Sequence, residues 1–320
     1  MPHVRQRAGD PNPASLPKSG ELLGQAGSLT TTVPCRLVHR AAVAETLITG
    51  WRRTGADRFT LSAQWPRIHP VYASPDRTAY EPLLVAETVR QCGALLAHAE
   101  YGVPLDDRFV LHGLRVAVPR PDRLAVEAAP AAPAAPVVGV AVTPRRHRGG
   151  RPTALTCVAD VRLGDERVAT VHLDVSWTRE SVYRRLRGGR TPGAVPAASL
   201  PPALPPAAVG RALAADVVLA PPGPARRLRL RVDTAHPVFF DHPLDHIPGM
   251  LLLEAAGQAA RVGTAGRRSP VSFHAFFRRY AELDRPVWVE VRDDDRTVLQ
   301  VRAVQGESTV FECAVELAEP

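Results

Sequence analysis

The chain contains one internal duplication, and this limits its possible folds more than any other feature. "HPVYASPDRTAYEPLLVAETVRQ" begins at His69 and "HPVFFDHPLDHIPGMLLLEAAGQ" begins at His236. A shift of 167 residues lays one on the other without a gap. His69, Pro70 and Val71 fall on His236, Pro237 and Val238, while Glu87 falls on Glu254 and Gln91 on Gln258. The flanks agree. Upstream, "RAAVAETLIT" from Arg40 resembles "RALAADVVLA" from Arg211. Downstream, each copy closes with a strand–turn–strand pattern, turning at Gly164-Asp165 in the first and near Gly306 in the second. One duplication of this length gives two similar domains, not a solenoid.

Within each copy the hydrophobic period changes in the same order. Phe59, Leu61, Ala63 and Trp65 alternate at period two, as do Leu228, Leu230 and Val232, which is the pattern of a half-buried strand. Then "LLVAETVRQCGALLAHA" and "MLLLEAAGQAARVG" predict helices over roughly 82–100 and 249–262. Both are apolar on nearly every face, so both are expected to be buried on most sides. A strand, a loop, one long buried helix and several antiparallel strands make the layout of a hotdog domain. The expected class is α+β, a tandem (double) hotdog. Two antiparallel sheets each wrap one central helix and join edge to edge, a pseudo-dimer in one chain. Residues 1–34, rich in Pro, Gly and Ser, are expected to form a disordered tail. The first domain is placed at 35–190 and the second at 207–320, with "TPGAVPAASLPPALPP" at 191–206 as linker. "PRPDRLAVEAAPAAPAAP" at 120–137 is expected to be a surface excursion.

Five motifs carry a family resemblance. "GWRRTGADRFTLSAQWPR" (Gly50–Arg67), "EPLLVAETVRQCGALLAHAEYGVPL" (Glu81–Leu105) and "HPVFFDHPLDHIPGMLLLEAAGQAA" (His236–Ala260) resemble the A-factor synthase family of actinobacteria. "VYRRLRGG" (Val182–Gly189) and "FFRRYAELDRPVW" (Phe276–Trp288) resemble it too, so the likeness spans about 35–320. It implies a tandem hotdog enzyme that moves a β-ketoacyl group from a carrier-protein (or CoA) thioester to the hydroxyl of dihydroxyacetone phosphate. The ester would close to a butenolide phosphate on the way to a γ-butyrolactone-type signalling molecule. "PGMLLLEAAGQ" also resembles the hotdog dehydratases, where a His-containing loop precedes such a helix. The chain departs from the family twice. Gly257 stands where the second-half helix usually reads Glu-Ala-Ala-Arg-Gln, and Tyr80-Glu81-Pro82 stands where His-Asp-Pro is usual.

Glu87 and Glu254 are the first catalytic candidates. Each lies in an apolar helix four residues before a glutamine, so carboxylate and amide share a face. Burial among apolar groups is expected to raise a carboxyl pKa toward general-base range. The bland alternative is a pair of surface helix glutamates. Gln91 and Gln258 are placed with them as substrate-binding groups. Arg90, three residues after Glu87, suits a phosphate through its guanidinium fork, or else pairs with Glu87 at i,i+3. Its counterpart is Gly257, so the two halves are not chemically equivalent.

Asp241, His242, Asp245 and His246 could be read as metal ligands, but Pro243 interrupts any helix and no helical His-x-x-x-His spacing occurs. No metal is expected. His242 is the proton-handling candidate, with turn histidines bonded to backbone as the alternative. His69 and His236 recur as His-Pro pairs and point to structure. Pro248 and Gly249 open the second helix, where a thioester could approach the backbone closely. Leu83 is aligned with Gly249, so the second half looks better shaped for acyl groups while the first keeps the arginine.

Charge excludes little. The net charge is +8 and only Lys18 among 40 basic residues is a lysine. The runs Arg145–Arg148, Arg184–Arg187 and Arg278–Arg279 lack interleaved aromatics or a nucleic-acid framework, so no nucleic-acid partner is expected. A solvated face or a patch for an acidic carrier protein fits them better. Four cysteines without a paired spacing fit a reducing compartment, the cytoplasm, and no 18-residue apolar run suggests a membrane span. The expectation is a cofactor-independent β-ketoacyl transferase whose partners are an acyl carrier protein and a small phosphorylated alcohol. It would act as a monomeric pseudo-dimer or a homodimer. A hotdog thioesterase or dehydratase, and a non-catalytic acyl or carrier-protein binding module, remain the alternatives.

Overall fold

The protein is described from a computed structural model over residues 31–126, 132–193, 198–223, 227–295 and 297–318. Residues 1–30 of the expected tail, 194–197 of the expected linker and 127–131 of the expected excursion lie outside the described residues.

The first copy contributes β1 (Ile48–Gly55), β2 (Arg58–Ala63), β3 (Arg108–Ala117), β4 (Val137–Arg148), β5 (Arg151–Leu163) and β6 (Glu166–Thr178). The second contributes β7 (Leu219–Ala220), β8 (Leu228–Leu230), β9 (Pro270–Phe277), β10 (Trp288–Asp295), β11 (Val298–Gln305) and β12 (Ser308–Leu317). They form one antiparallel sheet in the order β1-β2-β4-β5-β6-β3-β9-β12-β11-β10-β8-β7. Read outward from the centre, the two halves match strand for strand, as the duplication requires. The expected edge-to-edge joint is the β3–β9 pair, with Leu114 opposite Ala275 and Val116 opposite Phe273. The two expected sheets are thus one continuous sheet. The predicted turns fall at Gly164 and Gly306, each at positive φ.

Helix α1 (Pro82–Ala99) and helix α3 (Gly249–Gly263) lie on the sheet as the two apolar runs predict. Pro82 at the first helical position has its φ pre-set and no N–H to waste. Leu84, Leu95, Leu96, Leu253 and Ala256 have no exposed surface, so both helices are buried nearly all round. The structure corrects one alignment. The helices start at Pro82 and Gly249, the pair that the 167-residue shift itself superposes, so Pro82 rather than Leu83 is the counterpart of Gly249. A short helix α2 (Glu180–Leu186) follows β6. Within the 120–137 stretch Leu124 is buried and its carbonyl accepts from Tyr80 N, so that part is packed, not a surface excursion. No helix among the described residues is long and apolar enough to cross a membrane.

Candidate active site

Glu87 is 1% exposed, yet its carboxylate is saturated with donors. Arg90 donates from Nε to Oε2 and from Nη2 to Oε1, each at 2.7 Å. Arg40 donates from Nε to Oε1 at 3.0 Å, with Nη2 at 2.7 Å, and Gln91 Nε2 adds 2.8 Å. Burial alone would raise this carboxyl, but the charges of Arg40 and then Arg90 outweigh it and hold it down at about 2. This reverses the sequence expectation. The helix is apolar around Glu87, but the opposing charge arrives from a loop 47 residues upstream.

Glu254, also 1% exposed, repeats the arrangement with one arginine fewer. Arg211 donates from Nε to Oε1 and from Nη2 to Oε2, both at 2.7 Å, and Gln258 Nε2 donates at 2.6 Å. Arg40 and Arg211 were missed as site residues. Their one sequence signal is that each opens the upstream repeat. Each guanidinium also reaches a carboxylate from the other half: Arg40 lies 3.6 Å from Asp241, and Arg211 lies 3.5 Å from Glu81.

The glutamines are braces rather than substrate ligands. Gln91 Nε2 also donates to Glu45 O at 2.7 Å, and its Oε1 accepts from Leu47 N at 2.9 Å. Gln258 ties Asp216 O and Val218 N in the same way. Their amides are spent on the backbone that enters β1 and β7. His69 and His236 are structural too: Nδ1 of each accepts two backbone N–H groups in its own turn.

A cavity of about 490 Å³ opens between the halves. Among the described residues, Arg90, His242 and Gly249 line it, while Gln91, Glu254 and Gln258 do not, and Glu87 sits behind the lining arginines Arg40 and Arg90. The division between an acyl-shaped half and an arginine-bearing half therefore resolves into one composite site. Arg40, Arg90 and Arg108 supply positive charge to its wall. Ala94, Phe109, Leu111, Val175 and Met250 supply apolar surface.

His242 faces this space and is held by its neighbour. Its Nδ1 lies 2.6 Å from Asp241 Oδ1. Burial would raise the Asp241 carboxyl, but hydrogen bonds from His242 and Ala41 N and the charge of Arg40 keep it low. An ionised carboxylate only accepts, so Nδ1 donates to it and Nε2 is the nitrogen left to exchange a proton with a substrate. His246 is held likewise by Asp245 at 2.7 Å, and Asp245 also accepts from Tyr183 Oη and Arg187 Nε. These commitments pair the carboxylates with histidines, arginines and a tyrosine instead of converging them on one metal ion.

His39 was also missed. It lines the cavity and its Nε2 lies 2.7 Å from His98 Nε2. His98 Nδ1 donates to Val103 O, so its Nε2 accepts the His39 proton. Burial, then His98 and Arg90, push His39 well below the ordinary histidine range and keep it neutral. Its φ of 55° is left-handed, and its counterpart in the other half is Gly210 at 67°. Only the first half places an imidazole at this turn.

Glycines shape both helix faces. A Cβ on Gly249 would stand 2.9 Å from the Phe277 ring, so the helix start can abut both the ring and the cavity only without one. A Cβ on Gly257 would meet the Phe273 ring at 3.4 Å, an ordinary contact. At the first-half positions matching Asp241 and His242, the chain has Ser74 and Pro75. The dyad, the second arginine and the open space thus occur together only on one side.

Comparison with known proteins agrees with this architecture. The A-factor biosynthesis hotdog domain matches residues 24–179 and 194–315. The chain is similar to a "2-oxo-3-(phosphooxy)propyl 3-oxoalkanoate synthase" of Streptomyces virginiae, 44% identical over 293 residues covering 90% of this chain and 98% of that protein. A protein of the same name from Streptomyces coelicolor is 40% identical over 287 residues, 87% of this chain and 89% of that one. Among solved structures, an acyl-ACP thioesterase from Bacteroides thetaiotaomicron aligns over 82% of this chain and 98% of its own. It does so at 11% identity with a TM-score of 0.49. The chain belongs to the A-factor biosynthesis hotdog-domain family.

Proposed function

We propose that the chain transfers a β-ketoacyl group from a carrier-protein thioester to the primary hydroxyl of dihydroxyacetone phosphate, with no bound cofactor. The observation that carries this is the Asp241–His242 dyad opening on the same cavity as Arg90 and Arg108. The names of the relatives support it, since a 2-oxo-3-(phosphooxy)propyl 3-oxoalkanoate is the ester that this transfer makes.

His242 Nε2 takes the hydroxyl proton as the alcohol oxygen attacks the thioester carbonyl carbon. The carbonyl oxygen becomes an oxyanion facing the N–H groups of Gly249 and Met250 at the start of α3. The missing side chain at Gly249 lets the carbonyl reach them. The C–S bond then breaks, the thiolate leaves, and the imidazolium returns the proton to sulfur. Ester and thiol are the products. Arg90 and Arg108 hold the phosphate through the N–H groups that their pairs with Glu87 and Glu180 leave over, Nη1 of Arg90 and the Nη groups of Arg108. Glu87 keeps Arg90 and Arg40 in place and stays ionised. Ala94, Phe109, Leu111, Val175 and Met250 take the acyl chain.

The test is to incubate the protein with a β-ketoacyl thioester with and without dihydroxyacetone phosphate, following free thiol and product mass. Thiol released one-for-one with a phosphate-bearing ester is the expected result. Release independent of the alcohol identifies a hydrolase and overturns the proposal.

A further inference from the structure

The "RRLR" run is not used by the chemistry above, and its two faces differ. On the inner face of α2, Tyr183 lines the cavity and donates to Asp245 at 2.7 and 2.9 Å. One turn on, buried Arg187 bonds Asp245 and Glu282 and lies over the Tyr280 ring at 4.3 Å. These contacts pin the helix beside the cavity. At its start Glu180 pairs with Arg108 of the cavity wall, and Pro192, just beyond it, lines the cavity too.

The outer face has no such duties. Leu186 is 74% exposed, the highest value for a large hydrophobic among the described residues. Arg184 is 65% exposed and Arg185 is exposed beside it. The ion pair of Arg184 with Glu180 is solvated, and such pairs contribute little to stability. Arg179 extends the positive charge along the same segment. A rigid helix on the cavity rim therefore presents an apolar residue set among arginines.

We propose that this face, Arg184, Arg185 and Leu186, is the docking surface for the acyl carrier protein that delivers the thioester, which rests on the transfer proposed above. Carrier proteins are acidic and expose an apolar residue on the helix that follows the pantetheine attachment. Arginines steer such a partner, and Leu186 meets its apolar residue. Docking here sets the pantetheine arm at the entrance flanked by Tyr183 and Arg108.

Arg185→Glu with Leu186→Ser is the test, because it leaves Arg184, Glu180 and Arg108 paired. kcat/KM is measured with an acyl carrier protein thioester and with the short N-acetylcysteamine thioester. Binding of a fluorescent holo carrier protein is followed by anisotropy. The expected result is a loss of at least about 10-fold in kcat/KM and in affinity for the carrier protein. The short thioester is turned over within about 2-fold of wild type. Unchanged carrier binding overturns the docking surface, as does an equal loss with both thioesters. So does a variant that loses binding only to RNA or to anionic vesicles. If the wild type turns over neither thioester, the transfer reading fails, and the anisotropy still decides the docking surface.

Discussion

Glu87→Gln separates a buried base from a buried anchor. The fold lowers this carboxyl from an ordinary 4.5 to about 2. Each unit is 1.36 kcal/mol, so the folded state favours the ionised form by roughly 3 kcal/mol. Glutamine keeps the shape and removes the charge, leaving Arg40 and Arg90 facing a neutral amide in a site with almost no solvent. The expected cost at pH 7 is about 3 kcal/mol, within the range for breaking a buried pair. A carboxyl lowered by folding stabilises above its unfolded value, and that contribution is lost as pH falls from about 4.5 through about 2. The gap between wild type and Glu87→Gln should therefore shrink by about 2 kcal/mol between pH 7 and pH 3. Urea unfolding followed by tryptophan fluorescence measures both numbers. A variant within about 0.5 kcal/mol of wild type at both pH values, but with abolished turnover, would show that Glu87 acts in catalysis and not as an anchor.

Other outcomes follow from single contacts. Arg90→Ala should raise KM for dihydroxyacetone phosphate roughly 10- to 100-fold, the worth of a charged hydrogen bond, with kcat kept within a few-fold in steady-state kinetics. Unphosphorylated dihydroxyacetone should not distinguish the variant from wild type. Gly249→Ala drives a Cβ against Phe277 at 2.9 Å. Its expected cost is about 1–3 kcal/mol in denaturation, with a fall in thioester kcat/KM that Phe277→Leu partly restores. His39→Gly should release about 1 kcal/mol of left-handed strain. Because folding lowers the His39 pKa, that group costs stability as pH drops below the usual 6.5, so the variant's Tm should decline less between pH 7 and pH 5.5.

The duplication made the halves, both central helices and the two closing hairpins legible, because period and register are local properties. The continuity of the sheet followed from the matched copies, since equivalent inner strands β3 and β9 can pair across a pseudo-twofold. The cavity was harder to see. The repeat says that Glu87 and Glu254 are equivalent, but not that His242 of one half would face Arg90 of the other. The direction of the Glu87 shift was hidden for the same reason. Arg40 lies in an aperiodic loop, and only its position opposite Arg211 at the head of each upstream repeat marks it. His39, beside it, reveals itself only through its backbone, where the other half has Gly210. Gly257, by contrast, was legible as an asymmetry, and in the fold it faces the Phe273 ring.

The central claim is a single composite site whose base is His242. Its most direct test is the rate of phosphate-bearing ester formation by His242→Gln and by Glu254→Gln, each normalised to folded protein. The expected result is a fall of roughly 10²- to 10⁴-fold in kcat for His242→Gln, the usual worth of general base catalysis, with Glu254→Gln within a few-fold of wild type. A His242→Gln protein that still makes the ester within about 3-fold of the wild-type rate, or equal losses in the two variants, would contradict it.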